Sequence, residues 1–300
     1  MPRDAKFDPL FEPLQIGPKI MKNRFYQVPH CLGAGSERPG VQAAHRGTKA
    51  EGGWAVVCTE ACSIDPETDT EPSTVARLWD HGDVINLRHM CDAAHAHNAL
   101  AGVELWHCAQ EAGNLDTRIA PVGVGPLMSD GALQSYAHQA DEDEVAVVIQ
   151  RYGEAAKRAR DAGFDILYAY GSHRALPMQF LSPRFNQRKD KYGGSFENRA
   201  RFWIEIMAAL KNSAGNDCAI AVRISIDQLL GSEGVETFDD GLRFIEYAES
   251  EGIVDVWDVN ITQYMEWGED AAPSRFQKAN HQAPWSKHVK SVAKKPVLGV

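Results

Sequence analysis

Short β-branched or apolar runs alternate with amphipathic stretches along the whole chain, and no linker interrupts the rhythm. The strand-like runs fall at 24–27, 54–59, 101–105, 166–169, 219–224, 256–261 and 296–300. Between them the period changes to that of a helix. Asp141 caps a stretch in which Val145, Val148, Ile149, Tyr152 and Ala156 share one face, and Gly163 ends it. Val84, Leu87 and Cys91 recur in the same way, as do Phe202, Ile206 and Leu210 behind a capping Ser195, and Leu242, Ile245 and Ala248 with Gly252 beyond. Strands that alternate with helices predict an α/β fold whose parallel sheet is wrapped by helices. Seven strands can be counted, whereas a closed (β/α)8 TIM barrel needs eight. The expectation is therefore one barrel domain over 1–300, incomplete, with the sequence stopping inside strand seven.

Composition narrows the partners. At 300 residues and 44% hydrophobic the chain can bury one large core. Thirty-one Lys and Arg face 41 Asp and Glu, a net charge of −10 with no basic block, which argues against nucleic acid. No apolar run approaches a membrane span and the opening residues carry no leader pattern, so a cytoplasmic protein is expected. Cys31, Cys58, Cys62, Cys91, Cys108 and Cys218 are scattered without Cys-x-x-Cys pairs, which predicts reduced thiols. His107, Cys108 and Gln110 fit no strong ligand spacing with His95 and His97, and no metal is expected; His95 and His97 read as solvated.

Two stretches are too particular for propensity alone. Residues 190–202 read Asp-Lys-Tyr-Gly-Gly-Ser-Phe-Glu-Asn-Arg-Ala-Arg-Phe, with a Gly193-Gly194 turn that a side chain would block; residues 24–31 read Arg-Phe-Tyr-Gln-Val-Pro-His-Cys. Together they resemble the old yellow enzyme family of flavin-dependent (β/α)8 barrels, in its trimethylamine and dimethylamine dehydrogenase branch. The likeness covers essentially the entire chain. It implies FMN, a small-molecule amine substrate, an electron-acceptor protein and a homo-oligomer. In that branch the barrel continues into cysteines that hold a four-iron four-sulfur cluster and into nucleotide-binding domains, none of which these 300 residues contain.

The resemblance also assigns residues. Cys31, in Val28-Pro29-His30-Cys31, matches the cysteine bonded to carbon 6 of the flavin ring; taken alone it reads as a free thiol. Glu104 matches the residue at the flavin pyrimidine edge, where its carboxylate would accept from ring N3–H, or else it forms an ion pair inside the barrel. Arg223 matches the cation beside flavin N1 and O2, placed to stabilise the negative charge of the reduced ring; its alternative is a surface salt bridge. Tyr170 and His173 form the branch's Tyr-x-x-His pair, and Asp270 matches the aspartate that joins them as a proton-handling group, unless the three are a structural network at the rim. Trp267 would offer a π face to an alkylated amine, or simply fill the core.

Two departures bear on specificity. Ala61 stands where an aromatic wall is expected, which favours an amine larger than trimethylamine. Ala175 stands where ene-reductases of the family carry a proton-donating tyrosine. The expected reaction is oxidation of an N-alkylated, N-methyl, amine to an imine, then to an aldehyde and a dealkylated amine. Its rivals are an NAD(P)H-dependent ene or dienoyl reductase and a non-flavin lyase or inactive fragment.

Overall fold

The computed structural model describes residues 4–68, 75–115, 117–128, 136–173, 175–227, 238–261, 279–280 and 282–299. Seven parallel strands follow one another in chain order: β1 Tyr26–Gln27, β2 Val56–Ser63, β3 Leu100–Trp106, β4 Ile166–Gly171, β5 Ala219–Asp227, β6 Val256–Ile261 and β7 Val297–Leu298. Each pairs with its sequence neighbour, and no pairing joins β7 to β1 among the described residues. This is the (β/α)-barrel arrangement, with every strand at the predicted place. The connecting helices are α1 Pro39–Glu51, α2 His81–His95, α3 Glu142–Ala162, the short α4 Leu176–Leu181, α5 Phe196–Ala214, α6 Phe238–Ser250 and α7 Ala283–Val292.

The helices begin and end where the side chains dictate. Asp80 and Asp83 form a capping box at α2, and Asp141 and Glu144 another at α3. Gly163 closes α3 in the left-handed conformation, and Ser195 accepts the Asn198 N–H at the head of α5. Val145, Val148, Tyr152 and Ala156 of α3 and Phe202, Ile206 and Leu210 of α5 are buried against outward-facing sheet residues such as Val103, Leu167 and Val222. Among the described residues no helix is long and apolar enough to cross a membrane.

Inward-facing positions fill the barrel in layers. Val56, Cys58, Ile166, Tyr168, Ala219, Ala221 and Val256 form its lower core, plugged by Ile16 and Met21 from an antiparallel hairpin of Leu14–Ile16 and Lys19–Met21. Neither that hairpin nor the small sheet of Val122–Gly123, Leu127–Met128 and Tyr136–Gln139 was expected from sequence. Strands of two to four residues carry too few positions for a period to show.

The Gly193-Gly194 signature is structural. A Cβ on Gly193 would collide with the Arg188 carbonyl, and Gly194 lies at φ +83°. Asn186 donates to the Phe180 and Tyr192 carbonyls at 2.6 and 2.7 Å, Asn198 to the Gly193 carbonyl at 3.1 Å, and Arg199 to the Gly194 carbonyl at 2.6 Å. Buried Arg188 reaches the Ala140 carbonyl at 2.6 Å and pins the segment to the β3–α3 loop. Beneath the barrel His95 differs from expectation: although exposed, its Nε2 lies 2.8 Å from Asp165, which also takes Lys19 at 2.7 Å.

Candidate active site

The carboxyl ends of the strands converge polar groups that a folded core would otherwise exclude. Arg223 on β5 and Glu104 on β3 are both nearly fully buried. A single nitrogen of Arg223, Nη1, lies 3.7 Å from Glu104 Oε2 and 3.7 Å from Asp258 Oδ2 on β6, and it donates to the Pro29 carbonyl at 3.0 Å. That last bond ties the end of β1 to β5. Burial raises the Glu104 carboxyl to about 7, a rise that Arg223 opposes and Asp258 reinforces. Glu104 Oε2 and Arg223 Nε have no hydrogen-bond partner. The alternative of a surface salt bridge for Arg223 is thereby corrected: its ion pairs are interior.

The loop after β1 is held from two sides. Glu60, buried on β2, accepts the N–H groups of Leu32 at 3.1 Å and Gly35 at 2.8 Å, bracketing the residues that follow Cys31. A register shift in the β2–β3 pairing between Cys58 and Ala61 makes room for Glu60 in the strand, and Glu104 N–H bonds Thr59 Oγ1 there at 3.2 Å. Cys31 itself is exposed, with Glu104, Glu60 and the Ala61 backbone N–H as neighbours. The atoms crowding the thiol raise its proton affinity, and the Ala61 N–H partly offsets them.

His30 faces elsewhere. Its carbonyl accepts Arg46 Nη2 at 2.7 Å, its ring nitrogens lie 3.1 and 3.2 Å from Arg46 Nη1, and Gln27 Nε2 is 2.9 Å from His30 Nδ1. Desolvation first, then Arg46 and Lys49, lower its imidazole to about 4, so the ring is neutral. The Gln27 amide also donates to the Val28 carbonyl. Val28, Pro29 and His30 thus shape the loop through their backbone.

On β4, Tyr170 is buried, and its ring stacks on Trp106 at 5.2 Å and 23°. The Tyr170 hydroxyl lies 2.5 Å from His173 Nδ1 with the two rings 10° from parallel. Burial, then Arg223, lowers His173 to about 3, while burial, then Glu104, pushes the Tyr170 phenol well above its ordinary value. Between a neutral imidazole and an intact phenol the hydroxyl donates, so His173 Nδ1 accepts and Nε2 carries the ring proton. His173 sits at φ +46°, the left-handed region, a conformation costing on the order of 1 kcal/mol that its surroundings must hold. Tyr170 also senses Cys31 and Arg223, which places these groups in one mouth. Ala61 and Ala175 pack with Trp106 and Tyr170 in the apolar lining, their short side chains leaving the wall thin. Trp267 and Asp270 lie outside the described residues.

Several groups escaped the sequence reading. Asp258 and Asn260 face inward with Val256 on β6, the signal being polar residues at alternate positions of a buried strand. Asn260 Oδ1 accepts from Ser172 at 3.1 Å and Ser225 at 3.3 Å, while its Nδ2 is buried without a partner. Glu60 was visible as a lone carboxylate within a fully buried strand. Among the described residues no three His, Cys, Asp or Glu side chains converge as a metal-holding group. His107 is buried, with Nδ1 accepting the Ala109 N–H at 3.1 Å.

Residues 9–300 match the NADH:flavin oxidoreductase / NADH oxidase family. The chain is 49% identical over its whole length to dimethylamine dehydrogenase of Hyphomicrobium sp. (strain x), covering 41% of that protein. It superposes on histamine dehydrogenase from Rhizobium sp. 4-9 with a TM-score of 0.90 at 36% identity, covering 98% of this chain and 42% of that one. The 6-hydroxypseudooxynicotine amine oxidase of Pseudomonas geniculata N1 gives 0.91 at 37% identity, covering 98% and 44%. The chain therefore spans less than half the length of each of these proteins.

Proposed function

The chain belongs to the NADH:flavin oxidoreductase / NADH oxidase family, a family of FMN-dependent TIM barrels, and on that premise we propose that it is the FMN-bearing barrel of an amine dehydrogenase. The substrate class is an N-alkylated amine, in the first instance an N-methyl amine, oxidised to an imine that water splits into an aldehyde and a dealkylated amine. The observation that carries this reading is the convergence of Cys31, Glu104, Arg223 and the Tyr170–His173 pair at one end of the barrel. The relatives' names, dimethylamine dehydrogenase, histamine dehydrogenase and an amine oxidase, share amine chemistry and support it.

The residues fit the flavin. Glu104 Oε2 is a buried acceptor without a hydrogen bond that could take a ring imide N–H, and Arg223 Nε is a buried donor without a hydrogen bond that would bring a fixed positive charge to the anionic edge. Cys31 is exposed beside them and is proposed as the covalent anchor, a thioether to carbon 6. Bound FMN supplies a two-electron acceptor that takes hydride from the carbon beside the amine nitrogen.

The chain's own groups handle protons. An amine gives up hydride only with its nitrogen lone pair free. Tyr170 and His173, dry and uncharged, favour the neutral amine over the ammonium form. Asp270 is proposed as the third member of that group, and Trp267 as an aromatic wall. The short walls at Ala61 and Ala175 suit a substrate bulkier than trimethylamine. An iron–sulfur cluster, nucleotide-binding domains, an acceptor protein and homo-oligomerisation are proposed for the whole protein.

The test is a screen of methylated and longer secondary and tertiary amines against the purified full-length protein, with an artificial electron acceptor and aldehyde detection. Acceptor reduction with stoichiometric aldehyde is expected. NADH-driven reduction of an enone with every amine inert would establish the ene-reductase reading instead, and a colourless protein would favour the lyase.

A further inference from the structure

Asp258 has no exposed surface, burial raises its carboxyl against the opposing pull of Arg223 and the Tyr168 hydroxyl, and neither carboxylate oxygen has a partner at full hydrogen-bond geometry. A carboxylate in that state is costly to bury, and proteins keep one only where it answers a nearby charge. The charge is Arg223: the two residues are register partners on β5 and β6, and Oδ2 lies 3.7 Å from Nη1. Glu104 approaches the same nitrogen at 3.7 Å from β3, and the Pro29 carbonyl at 3.0 Å from the β1 loop. Nη1 is thus held by three groups, while Nε has no partner.

Beyond Arg223 and Glu104, the titratable groups facing Asp258 are Tyr168 of β4, Tyr26 of β1 and Cys58 of β2. The two tyrosine hydroxyls bond each other at 2.9 Å. All three are uncharged at neutral pH, because burial raises each above its ordinary value. The one fixed charge at this level of the barrel is therefore Arg223, and the acids that answer it are the carboxyls of Asp258 and Glu104, each raised by burial and each opposed in that rise by Arg223.

We propose that Asp258 is a positioning residue for the flavin: it holds Arg223 in place and, by partly cancelling its charge, sets how readily the ring is reduced. The inference rests on the FMN reading above. Without Asp258, Arg223 would stabilise the negative charge of the reduced ring more strongly, and the reduction potential would rise. With it, the flavin releases electrons to an acceptor more readily.

The measurement is the flavin midpoint potential of the full-length holoenzyme, wild type against Asp258→Asn and the charge-retaining Asp258→Glu. Asp258→Asn is expected to favour the reduced form about tenfold or more, about 30 mV for a two-electron couple. Asp258→Glu should stay within about threefold of wild type, a split that a merely structural side chain would not produce. A potential in Asp258→Asn equal to that of the wild type overturns the inference. If Asp258→Asn does not fold, Asp258→Thr takes its place; failure of both uncharged variants would assign Asp258 to the fold alone and equally overturn it. Absence of flavin from the wild-type protein would instead refute the FMN reading.

Discussion

Glu104 offers the sharpest quantitative prediction, because its environment is defined and its substitution by Gln preserves shape. The carboxyl is nearly fully buried and raised from an ordinary 4.5 to about 7, chiefly by loss of water. In the unfolded chain it releases its proton near 4.5; in the folded barrel it keeps it until about 7. Between those values the folded state binds more protons, so stability must fall as pH rises. At roughly 1.4 kcal/mol per pH unit, the gap amounts to about 3 kcal/mol of strain at pH 8 that vanishes below pH 4.5. Glu104→Gln lacks the titration and should not show this loss. Guanidinium unfolding of wild type and Glu104→Gln at matched flavin content, from pH 5 to 8, isolates the effect, since every other group is common to both. The variant should gain on the wild type steadily across that range, by about 3 kcal/mol at the top. A difference that stays flat with pH would refute the reasoning and show Glu104 to be ionised throughout, its charge fully answered by Arg223.

Two further outcomes follow from the geometry. Gly193→Ala should cost about 3 kcal/mol or more, or prevent folding, because the new methyl overlaps the Arg188 carbonyl in a segment fixed by Asn186, Asn198 and Arg199; thermal unfolding reads it directly. Tyr170→Phe should lower kcat for amine oxidation by about 100-fold with a smaller change in KM, since it removes the hydroxyl donor 2.5 Å from His173 Nδ1 without reshaping the pocket; steady-state kinetics with an unchanged kcat would contradict the role.

Most of the barrel was legible because β2 to β6 are largely apolar runs of six to nine residues between helices, several with clear caps, so both periods are written plainly there. β2, β3 and β5 extend one to four residues past their predicted ends, and the surplus residues matter: Ala61, Trp106 and Ser225 line the mouth. Composition cannot show where a strand stops when its last residues are polar or small and serve a site. The register shift beside Glu60 was equally invisible, since it depends on how two strands align, not on either alone. Cys31, Glu104, Arg223, Tyr170 and His173 could be picked out because each stands at a strand end in a recognisable motif. Asp258 could not, although it is the most deeply buried of the charges around Arg223, because its role depends on a residue 35 positions away on the neighbouring strand. The glycine pair was noticed for the right steric reason, and the group that the turn accommodates at Gly193 is the Arg188 carbonyl.

The account stands or falls on flavin chemistry at the barrel mouth, anchored through Cys31. Intact-mass measurement of the full-length protein, with peptide mapping across residues 24–46 for the wild type and Cys31→Ala, tests it most directly. The wild-type polypeptide is expected to be heavier by one FMN moiety, located on Cys31, and the variant to run at its bare calculated mass. A wild-type chain at its bare mass, or an FMN moiety on another residue, would contradict it.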